Sequence, residues 1–491
     1  MADGATAGLA DIVAAVEQRG GSVGVVDPQG SGSDLLLRSV THDSRTVESG
    51  TVFACLRGDR FDGHEFAAGA VAAGASLLVV DHELPRSDVG DTPQLIVDDT
   101  RLRLGPISSA VYGHPSEQLI TVGITGTNGK TTTAQLLAAV FEANGWPTGV
   151  IGTLHGTRTT PEAPELQATL AGFVERGLRA AVLEVSSHAL ALHRVDGTQF
   201  DAVVFTNLGR DHLDLHGSPE EYFRAKAALF TPEFSPLAAI NADDTHGRLL
   251  IDAVTAAGDQ PRVVPFGSDR LSEVEVTAER HTYSWRDQSI DVPLGGAFNV
   301  LNSLAAVTVA AELGVPGDVA AQGLSRVAPV RGRFEVVADP RSEVTVVVDY
   351  AHTPDGLDEV LTSARGVVGP EGSVIAVFGC GGERDVEKRP EMGAVAARLA
   401  DRVVVTSDNP RHEDPDAIVE DIVAGVEHRY RARVTSNTDR RAAIGTALAA
   451  AGRGDVVVIA GKGHEKTQDL GDTCVPFDDR SVAEALLEEL Q

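Results

Sequence analysis

Residues 119–143 read LITVGITGTNGKTTTAQLLAAVFEA and join an apolar run, a glycine-rich turn and a helical pattern. The run at 119–125 is typical of a strand that is covered on both faces, and the residues after Lys130 have the spacing of a buried helix. A strand that leads through such a turn into a helix is the repeating unit of parallel α/β sheets, whose ligands bind at the carboxyl ends of the strands. This stretch therefore predicts an α/β fold with a ligand site at the turn.

The turn itself is predicted to bind the phosphates of a nucleotide. Glycines allow backbone N–H groups to close around phosphate oxygens, and the start of a helix adds positive potential. In such a loop Lys130 can reach the β- and γ-phosphates and Thr131 can hold magnesium. The usual pattern begins with a glycine, and Ile124 occupies that position here. The predicted ATP-binding loop consists of Gly126, Thr127, Asn128, Gly129, Lys130, Thr131 and Thr132.

Similar strand–turn–helix units recur along the chain and predict more than one parallel sheet. A Pro/Arg/Gly cluster, APVRGRFE at 328–335, separates two series of such units. We therefore expect three domains. They are a smaller N-terminal α/β domain at 1–110, a central domain at 111–329 with a P-loop ATPase-like parallel sheet, and a Rossmann-like C-terminal domain at 330–491.

Composition and charge exclude several classes of protein. The 491 residues are 42% apolar and 23% charged, which is the balance of a globular protein rather than a disordered one. The formal net charge of −30 repels phosphate backbones and anionic lipids, so neither nucleic acid nor a membrane is an expected partner. The three cysteines show no metal or disulfide spacing, and the N-terminus lacks the pattern of a signal peptide. These features predict a cytoplasmic protein; they leave its oligomeric state open, with a monomer as the simplest expectation.

Three residues outside the loop have the chemistry of a metal site. Glu184 ends a buried run, His212 follows the next run, and Lys226 lies in the helical pattern EEYFRAKAALF. A carboxylate at the end of a strand can hold magnesium. Each residue taken alone also fits an ordinary role, as a helix cap, a surface histidine or a solvated lysine.

The loop GTNGKTT resembles that of the Mur ligases and of their relatives, the folylpolyglutamate synthases. The set of Glu184, His212 and Lys226, together with DNPR at 408–411, extends the resemblance to Mur ligases of the MurE type over nearly the whole chain. This resemblance implies an ATP-dependent carboxylate–amine ligase that releases ADP and phosphate. The implied reaction adds meso-diaminopimelate to UDP-N-acetylmuramoyl-L-alanyl-D-glutamate through an acyl phosphate. Such a step belongs to peptidoglycan precursor synthesis, and so to cell wall biogenesis, cell shape and cell division.

The resemblance also implies the cofactors ATP, two magnesium ions and carbon dioxide. Carbon dioxide would carbamylate Lys226, because a lysine that burial keeps neutral can attack it, whereas a guanidinium stays protonated. Gly209 and Arg210 stand where family members often carry Ser-Gln, and the role of Arg210 stays open. The implied catalytic residues are Lys130, Glu184, His212 and Lys226, and the implied metal ligands are Thr131, Glu184, His212 and the Lys226 carbamate.

The same resemblance assigns residues to the nucleotide and to the UDP-substrate. The hydroxyl-bearing loop at 159–161 is suited to an oxyanion-rich substrate, while residues 43–45 also fit a capped turn and 295–302 an ordinary helix start. Leu192 stands where family members often have Gln. The implied UDP-substrate residues are Ser44, Asp59, Arg60, Phe61, Thr159, Thr160, Ser186 and Arg194, and the further ATP residues are Asn299, Arg333 and Asp349.

The amine substrate is assigned to the C-terminal domain. A guanidinium such as that of Arg411 can pair with the distal carboxylate of diaminopimelate through two hydrogen bonds, whereas lysine offers only an ammonium there. A lysine-adding ligase, a folylpolyglutamate synthase-like enzyme and a non-catalytic nucleotide-binding scaffold are the alternatives. The implied diaminopimelate residues are Arg389, Asp408, Asn409, Pro410, Arg411, Gly461 and Glu465.

Overall fold

Three α/β layers follow one another along the chain, as the sequence predicts. The computed structural model describes residues 7–30, 35–58, 60–211, 213–258, 261–337 and 343–490. Two of the predicted site residues, Asp59 and His212, lie outside these ranges. The predicted fold class is confirmed. Each main sheet falls within one predicted segment, while the domain boundaries stay a prediction.

The first layer is a five-stranded sheet in the order β1-β5-β4-β3-β2, with β1 antiparallel to β5 and the other pairs parallel. Its apolar face packs against the first and fourth helices in one buried cluster. The strands are β1 (Val23–Val26), β2 (Ser39–Thr41), β3 (Thr51–Ala54), β4 (Ala75–Val80) and β5 (Gln94–Val97), and the helices are α1 (Leu9–Gln18), α2 (Ala67–Ala73), α3 (Arg86–Val89) and α4 (Thr100–Val111).

The central layer is a six-stranded sheet that is parallel throughout, in the order β11-β10-β9-β6-β8-β7. The strands are β6 (Ile120–Thr125), β7 (Thr148–Ile151), β8 (Ala180–Glu184), β9 (Ala202–Phe205), β10 (Leu237–Asn241) and β11 (Arg262–Phe266). The order reverses at β6, which lies between β8 and β9, so the turns after these three strands meet at one edge. A reversal of this kind leaves a crevice for ligands.

Helices cover both faces of this sheet. The long apolar helices after β6 and at 298–312 are largely buried and share one core. The helices of this region are α5 (Lys130–Ala143), α6 (Ala163–Glu175), α7 (Ser187–Ala191), α8 (Leu213–His216), α9 (Pro219–Ala227), α10 (Thr245–Ala256), α11 (Phe298–Glu312) and α12 (Gly317–Ser325).

A small antiparallel sheet, which the sequence analysis did not anticipate, follows the central one. Its strands are β12 (Leu271–Val276), β13 (His281–Trp285) and β14 (Gln288–Val292). Tyr283, Trp285 and Ile290 point alternately inward and join the core formed by α5, α11 and α12. The sheet thereby covers the outer side of those helices.

The third layer is a six-stranded sheet in the order β15-β16-β20-β17-β18-β19, parallel except for its edge strand β15. The strands are β15 (Glu335–Val337), β16 (Thr345–Asp349), β17 (Val374–Phe378), β18 (Arg402–Val405), β19 (Val434–Ser436) and β20 (Val456–Ala460), and a hairpin follows with β21 (Thr467–Asp469) and β22 (Cys474–Pro476). The helices are α13 (Pro354–Val367), α14 (Lys388–Leu399), α15 (Pro415–Ala424), α16 (Arg440–Ala450) and α17 (Asp479–Glu489). Among the described residues, no helix has both the length and the apolar character required to cross a bilayer.

Candidate active site

The predicted phosphate loop joins β6 to α5 in a conformation that requires two glycines. Gly126 and Gly129 have φ angles of 150° and 83°, which disfavour residues with a side chain. A Cβ on Gly126 would overlap the Thr206 hydroxyl, and one on Gly129 would overlap the Asn302 carboxamide. The loop therefore keeps its backbone N–H groups at the start of α5, where an anion is favoured.

Lys130, the first residue of α5, folds back over this loop. Its Nζ donates to the carbonyl oxygens of Gly126 and Thr127, each at 2.8 Å, and no described carboxylate forms an ion pair with it. Burial lowers the pKa of Lys130, and Glu184 and Asp211 oppose that shift. A desolvated ammonium with only carbonyl partners gains a strong charge-assisted interaction when a phosphate arrives.

Glu184 lies beside the same loop at the end of β8. Its carboxylate accepts hydrogen bonds from the Thr131 hydroxyl at 2.7 Å and from the Thr153 backbone N–H at 2.9 Å. The absence of a side chain at Gly152 provides the space, since a Cβ there would overlap Glu184 Oε1. A hydroxyl and a carboxylate in contact are the hard oxygen donors that Mg²⁺ prefers, so Thr131 and Glu184 fit a magnesium site.

Lys226 on α9 is fully buried under the loop. Its Nζ donates to the Gly126 carbonyl oxygen at 2.9 Å and lies 4.5 Å from the centre of the Tyr222 ring. The pKa of Lys226 is well below its ordinary value, chiefly because of burial and also because Lys130 is close. This shift increases the unprotonated fraction of the amine, which is the form that reacts with carbon dioxide.

The remaining residues predicted to bind ATP come from two layers: Asn299 from the central layer, and Arg333 and Asp349 from the C-terminal layer. Arg333 donates to the Thr131 hydroxyl at 3.3 Å and lies over the Tyr350 ring. Asp349 accepts from two backbone N–H groups, and burial raises the pKa of its carboxyl. Asn299 does not line the cleft; it is buried, and its carboxamide accepts from Asn302, which does line it. Arg333 and Asp349 thus face the loop, and Asn299 lies behind it.

The residues predicted for the UDP-substrate lie in two separate places. Thr159 and Ser186 line the cleft of the phosphate loop. Thr160 is buried and donates to the backbone oxygen of Glu184 at 2.8 Å, and Arg194 donates to the Thr160 oxygen and pairs with Glu162 at 2.9 Å. This first group therefore borders the phosphate site.

The second group lies in the N-terminal layer. Ser44 begins a short 3-10 turn after Asp43, whose carboxylate caps that turn. Arg60 and Phe61 lie on the surface, where Phe61 is two-thirds exposed and packs edge-on against Phe66. None of these side chains lines the phosphate cleft.

A second cleft adjoins the first and contains most of the residues predicted to bind diaminopimelate. Asp408, Asn409, Arg411, Gly461 and Glu465 line it together. Gly461 has a φ of 113°, and a Cβ there would overlap the Asp408 carboxylate, so the two strand ends approach closely only because this residue is glycine. Pro410 completes the DNPR turn but is absent from the lining.

The two arginines of this region have different surroundings. Arg411 adopts a left-handed backbone with a φ of 52°, donates to the Gly382 oxygen, lies 3.8 Å from a carboxylate oxygen of Asp469 and remains about a quarter exposed. Arg389 is buried and already pairs with Glu413 at 2.8 Å and Asp421 at 3.0 Å, and it does not line the cleft. In this conformation Arg411 is available to a carboxylate, whereas Arg389 supports the loop that carries Glu413.

Several cleft residues were missed by the sequence analysis. Asp211, Tyr350 and His352 line both clefts and so connect them. The motif VDYAHTPD had drawn attention only to Asp349, although the same turn carries Tyr350 and His352. Others that line the first cleft are Thr153, Phe298, Asn302 and Glu359.

Arg210, whose role the sequence leaves open, contacts the C-terminal layer through its side chain and its backbone. Its side chain pairs with Glu387 at 2.9 Å and with Glu391, both at the start of α14. Its backbone N–H donates to the Asp355 carboxylate at 2.6 Å. Arg210 therefore ties the loop after β9 to the C-terminal layer.

Three protein-family models match successive segments of this chain, in the order of its three layers. Residues 37–112 match the Mur ligase family catalytic domain, 124–310 the Mur ligase middle domain, and 332–463 the Mur ligase glutamate ligase domain. A UDP-N-acetylmuramoyl-L-alanyl-D-glutamate–2,6-diaminopimelate ligase of Streptomyces coelicolor is 42% identical, over 96% of this chain and 95% of that protein. A solved structure of a ligase with that same name is 32% identical, with a TM-score of 0.66 over 95% of this chain and 97% of the other.

A more distant structure shares the fold. The MurF ligase of Thermotoga maritima in complex with ADP is 20% identical, with a TM-score of 0.62 over 93% of this chain and 98% of the other. The full-length similarity to the Streptomyces coelicolor ligase and the three domain matches agree with one another. This chain is therefore a ligase that belongs to the Mur ligase family.

Proposed function

We propose that the chain uses ATP to add meso-diaminopimelate to UDP-N-acetylmuramoyl-L-alanyl-D-glutamate. The observation that carries this proposal is the continuity of two clefts. Lys130, Thr131 and Glu184 line one, Asp408 and Arg411 line the other, and the two share a wall. A reaction that first transfers a phosphoryl group and then admits an amine requires such an arrangement.

In the first half-reaction the γ-carboxylate of the D-glutamyl residue attacks the γ-phosphorus of ATP. The bond from that phosphorus to ADP breaks, and an acyl phosphate forms. Two anions must approach each other, so Lys130 and Arg333 act by neutralising charge on the phosphates. Bound magnesium, held by Thr131 and Glu184 together with His212 and a carbamylated Lys226, would supply further positive charge at the phosphoryl oxygens.

Carbamylation of Lys226 is part of the proposal and is supported by electrostatics. Lys130 and Lys226 donate to the same Gly126 carbonyl oxygen. A magnesium ion beside Lys130 and an unmodified Lys226 would find no anionic ligand at that second lysine, whereas a carbamate at Lys226 is an anion that attracts it. Burial that keeps Lys226 neutral favours this modification.

In the second half-reaction the amine of diaminopimelate attacks the acyl phosphate and phosphate leaves. Arg411 is proposed to pair with the distal carboxylate of the amino acid, and Asp408, Asn409 and Glu465 to receive its distal ammonium. The contact with Arg411 distinguishes diaminopimelate from lysine, because lysine has a distal ammonium but lacks the distal carboxylate.

The alternatives account for less. A folylpolyglutamate synthase-like activity gives no reason for the N-terminal layer, and a non-catalytic scaffold gives none for the desolvated lysines at the phosphate loop. We place the activity in peptidoglycan precursor synthesis in the cytoplasm, with consequences for cell shape and division.

ADP release measured with the UDP-dipeptide and a panel of amines tests the proposal. We expect diaminopimelate to support turnover and L-lysine to support little. A preference for lysine would overturn the role of Arg411, and ADP release that needs no UDP-dipeptide would overturn the assignment of the UDP-dipeptide as the carboxylate substrate that ATP phosphorylates.

A further inference from the structure

His352 occupies the wall between the phosphate cleft and the amine cleft. It lies in the turn between β16 and α13 and lines both clefts, as only Asp211 and Tyr350 also do within the part of the chain that the structure describes. A group at this position meets the acyl phosphate from one side and the incoming amine from the other. The amine arrives as an ammonium ion, so it must lose a proton before it can attack.

The hydrogen bond made by the His352 ring fixes its tautomer. Nδ1 lies 2.8 Å from the Tyr350 backbone oxygen, which can only accept. Nδ1 therefore carries the hydrogen, and the lone pair is on Nε2. Within the described chain Nε2 has no hydrogen-bond partner. The atom is not sealed from solvent, so it opens into the cleft.

The surroundings keep this ring neutral. Burial lowers the pKa of His352, and Lys388 on α14 lowers it further, while Asp211 after β9 and Asp408 after β18 oppose the shift. The Tyr350 ring packs against it at 4.6 Å. A neutral imidazole with an open Nε2 is a proton acceptor at physiological pH.

Other candidates in the amine cleft are less suited to accept a proton. Burial raises the pKa of the Cys380 thiol and of the Tyr350 hydroxyl to about 12, so both already hold their protons. The Glu465 carboxylate accepts from Lys462 at 2.8 Å and from Asn409 at 2.9 Å. Although burial opposes it, the pairing with Lys462 and Asn409 keeps the pKa of Glu465 below its ordinary value, so this carboxylate is a weak proton acceptor. Of these four groups, the His352 imidazole is the best suited to accept a proton.

We propose that His352 is the general base that deprotonates the attacking amine, an inference that rests on the proposed function. Nε2 takes one proton from the ammonium group, and the freed nitrogen forms a bond to the acyl-phosphate carbonyl carbon. The carbon–oxygen bond to phosphate then breaks, with its electron pair on the phosphate oxygen, and phosphate takes the second nitrogen proton. The imidazolium returns its proton to solvent.

The variant His352→Asn tests this role because its amide nitrogen can still donate to the Tyr350 oxygen while Nε2 is lost. Each protein is assayed for ADP release with the UDP-dipeptide and either diaminopimelate or hydroxylamine, whose nitrogen is unprotonated at neutral pH. We expect diaminopimelate-dependent turnover to fall by about 10²- to 10⁴-fold, the usual contribution of a general base. Hydroxylamine-dependent turnover should stay within a few-fold of the wild-type value.

The pH profile supplies a second readout. The diaminopimelate rate of His352→Asn should keep rising with pH, because the free-amine fraction rises, whereas the wild-type rate should level off once His352 is neutral. His464→Asn is the matched control, since its ring also contacts Tyr350, at 5.2 Å, but lines neither cleft.

Equal losses with both nucleophiles, or no loss with diaminopimelate, would overturn the proposal. Failure of the wild-type protein to release ADP with any amine would instead overturn the proposed function, so the two failures are distinguishable.

Discussion

The two clefts differ in how their cations are held. On the phosphate side, Lys130 and Lys226 are desolvated and donate only to backbone carbonyl oxygens. On the amine side, Arg389 and Lys462 lie behind the cleft and are already paired with carboxylates, while Arg411 in the cleft has a weaker contact with Asp469 at 3.8 Å. The phosphate side therefore gains new charge pairing when its ligand binds, whereas Arg389 and Lys462 on the amine side are already balanced and Arg411 is left to pair with a ligand carboxylate.

This difference implies that the phosphate side mainly serves catalysis and that the amine side mainly serves selectivity for the amine. A desolvated cation without a carboxylate partner among the described residues, such as Lys130, interacts strongly with an incoming anion, because little water competes with it. Paired cations contribute less net free energy but define which ligand fits, since a wrong ligand leaves charges unsatisfied. Mutations on the phosphate side should accordingly reduce turnover, and mutations on the amine side should alter amine affinity.

The largest effect is expected for Lys130→Ala. Loss of the cation at the phosphates should reduce ADP formation by at least about 10³-fold, which is the scale of lost electrostatic stabilisation at a preorganised site. Steady-state ADP release measures it. Lys466→Ala is the control, because that lysine is exposed and outside both clefts, and it should leave the rate unchanged. Substantial activity in Lys130→Ala would contradict the proposal that cations on the phosphate side carry catalysis.

The next largest effect is expected for Lys226→Ala. Without a carbamate the magnesium site loses an anionic ligand, and turnover should fall by about 10²-fold, as for other losses of groups that support a metal site. Added formate or acetate should restore part of the rate by occupying the space of the carbamate. Unchanged activity without rescue would exclude a carbamate from the mechanism.

Arg411→Ala should act mainly on the amine. Loss of a charge-assisted pair with the distal carboxylate should raise the apparent KM for diaminopimelate by about 10- to 100-fold, while kcat changes less. Arg411→Lys keeps the charge without the planar fork and should be intermediate. Arg453→Ala, which removes a largely exposed arginine far from the clefts, is the control. An unchanged KM in Arg411→Ala would refute the assigned contact.

Arg210→Ala should have a small effect on catalysis by weakening the connection between the central and C-terminal layers. Its pairs with Glu387 and Glu391 are partly exposed, so their loss should cost only about 1 kcal/mol and a few-fold in rate. Small-angle scattering with and without ATP and substrate should show a smaller change in the variant than in the wild type. The control Arg398→Ala removes a pair between α13 and α14 within the C-terminal layer and should not alter that change.

A pH measurement examines the phosphate side without catalysis. The folded chain holds Lys226 below its ordinary pKa, so the unfolded chain binds more protons between the lowered value and 10.5. The free energy of unfolding should therefore rise with pH across that interval. In buffer free of carbon dioxide, Lys226→Met should reduce this rise, measured by denaturant titration; an identical slope would contradict the desolvation of Lys226.

Much of the phosphate side could be predicted from the sequence, because its residues follow consecutive strands of one parallel sheet. The loop at 126–132 and Glu184 lie at strand ends, and topology brings such ends together. Contacts between segments that are far apart in the sequence could not be predicted in this way. Nothing in the sequence indicates that Arg210 meets Glu387, or that Arg389 is already satisfied by Glu413 and Asp421.

The antiparallel sheet β12–β14 was missed for a related reason. Its exposed strand β12 mixes apolar and polar residues without a buried face, and the alternation of buried and less buried residues is confined to β13 and β14, each of only five residues. Short strands of this kind are defined by packing against α11 and α12 rather than by their own pattern. His352 was missed because a histidine in a turn carries no periodic signal, and its importance depends on which two clefts it borders.

The backbone oxygen of Gly126 connects the modification of Lys226 with the binding of ATP at Lys130. The Gly126 carbonyl accepts from both Lys130 and Lys226, so converting Lys226 to an anion would leave that acceptor to Lys130 alone and would change how firmly Lys130 is held before nucleotide arrives. The apparent affinity for ATP should then depend on the dissolved bicarbonate of the buffer, and preparations that differ only in their exposure to air should differ in their measured constants.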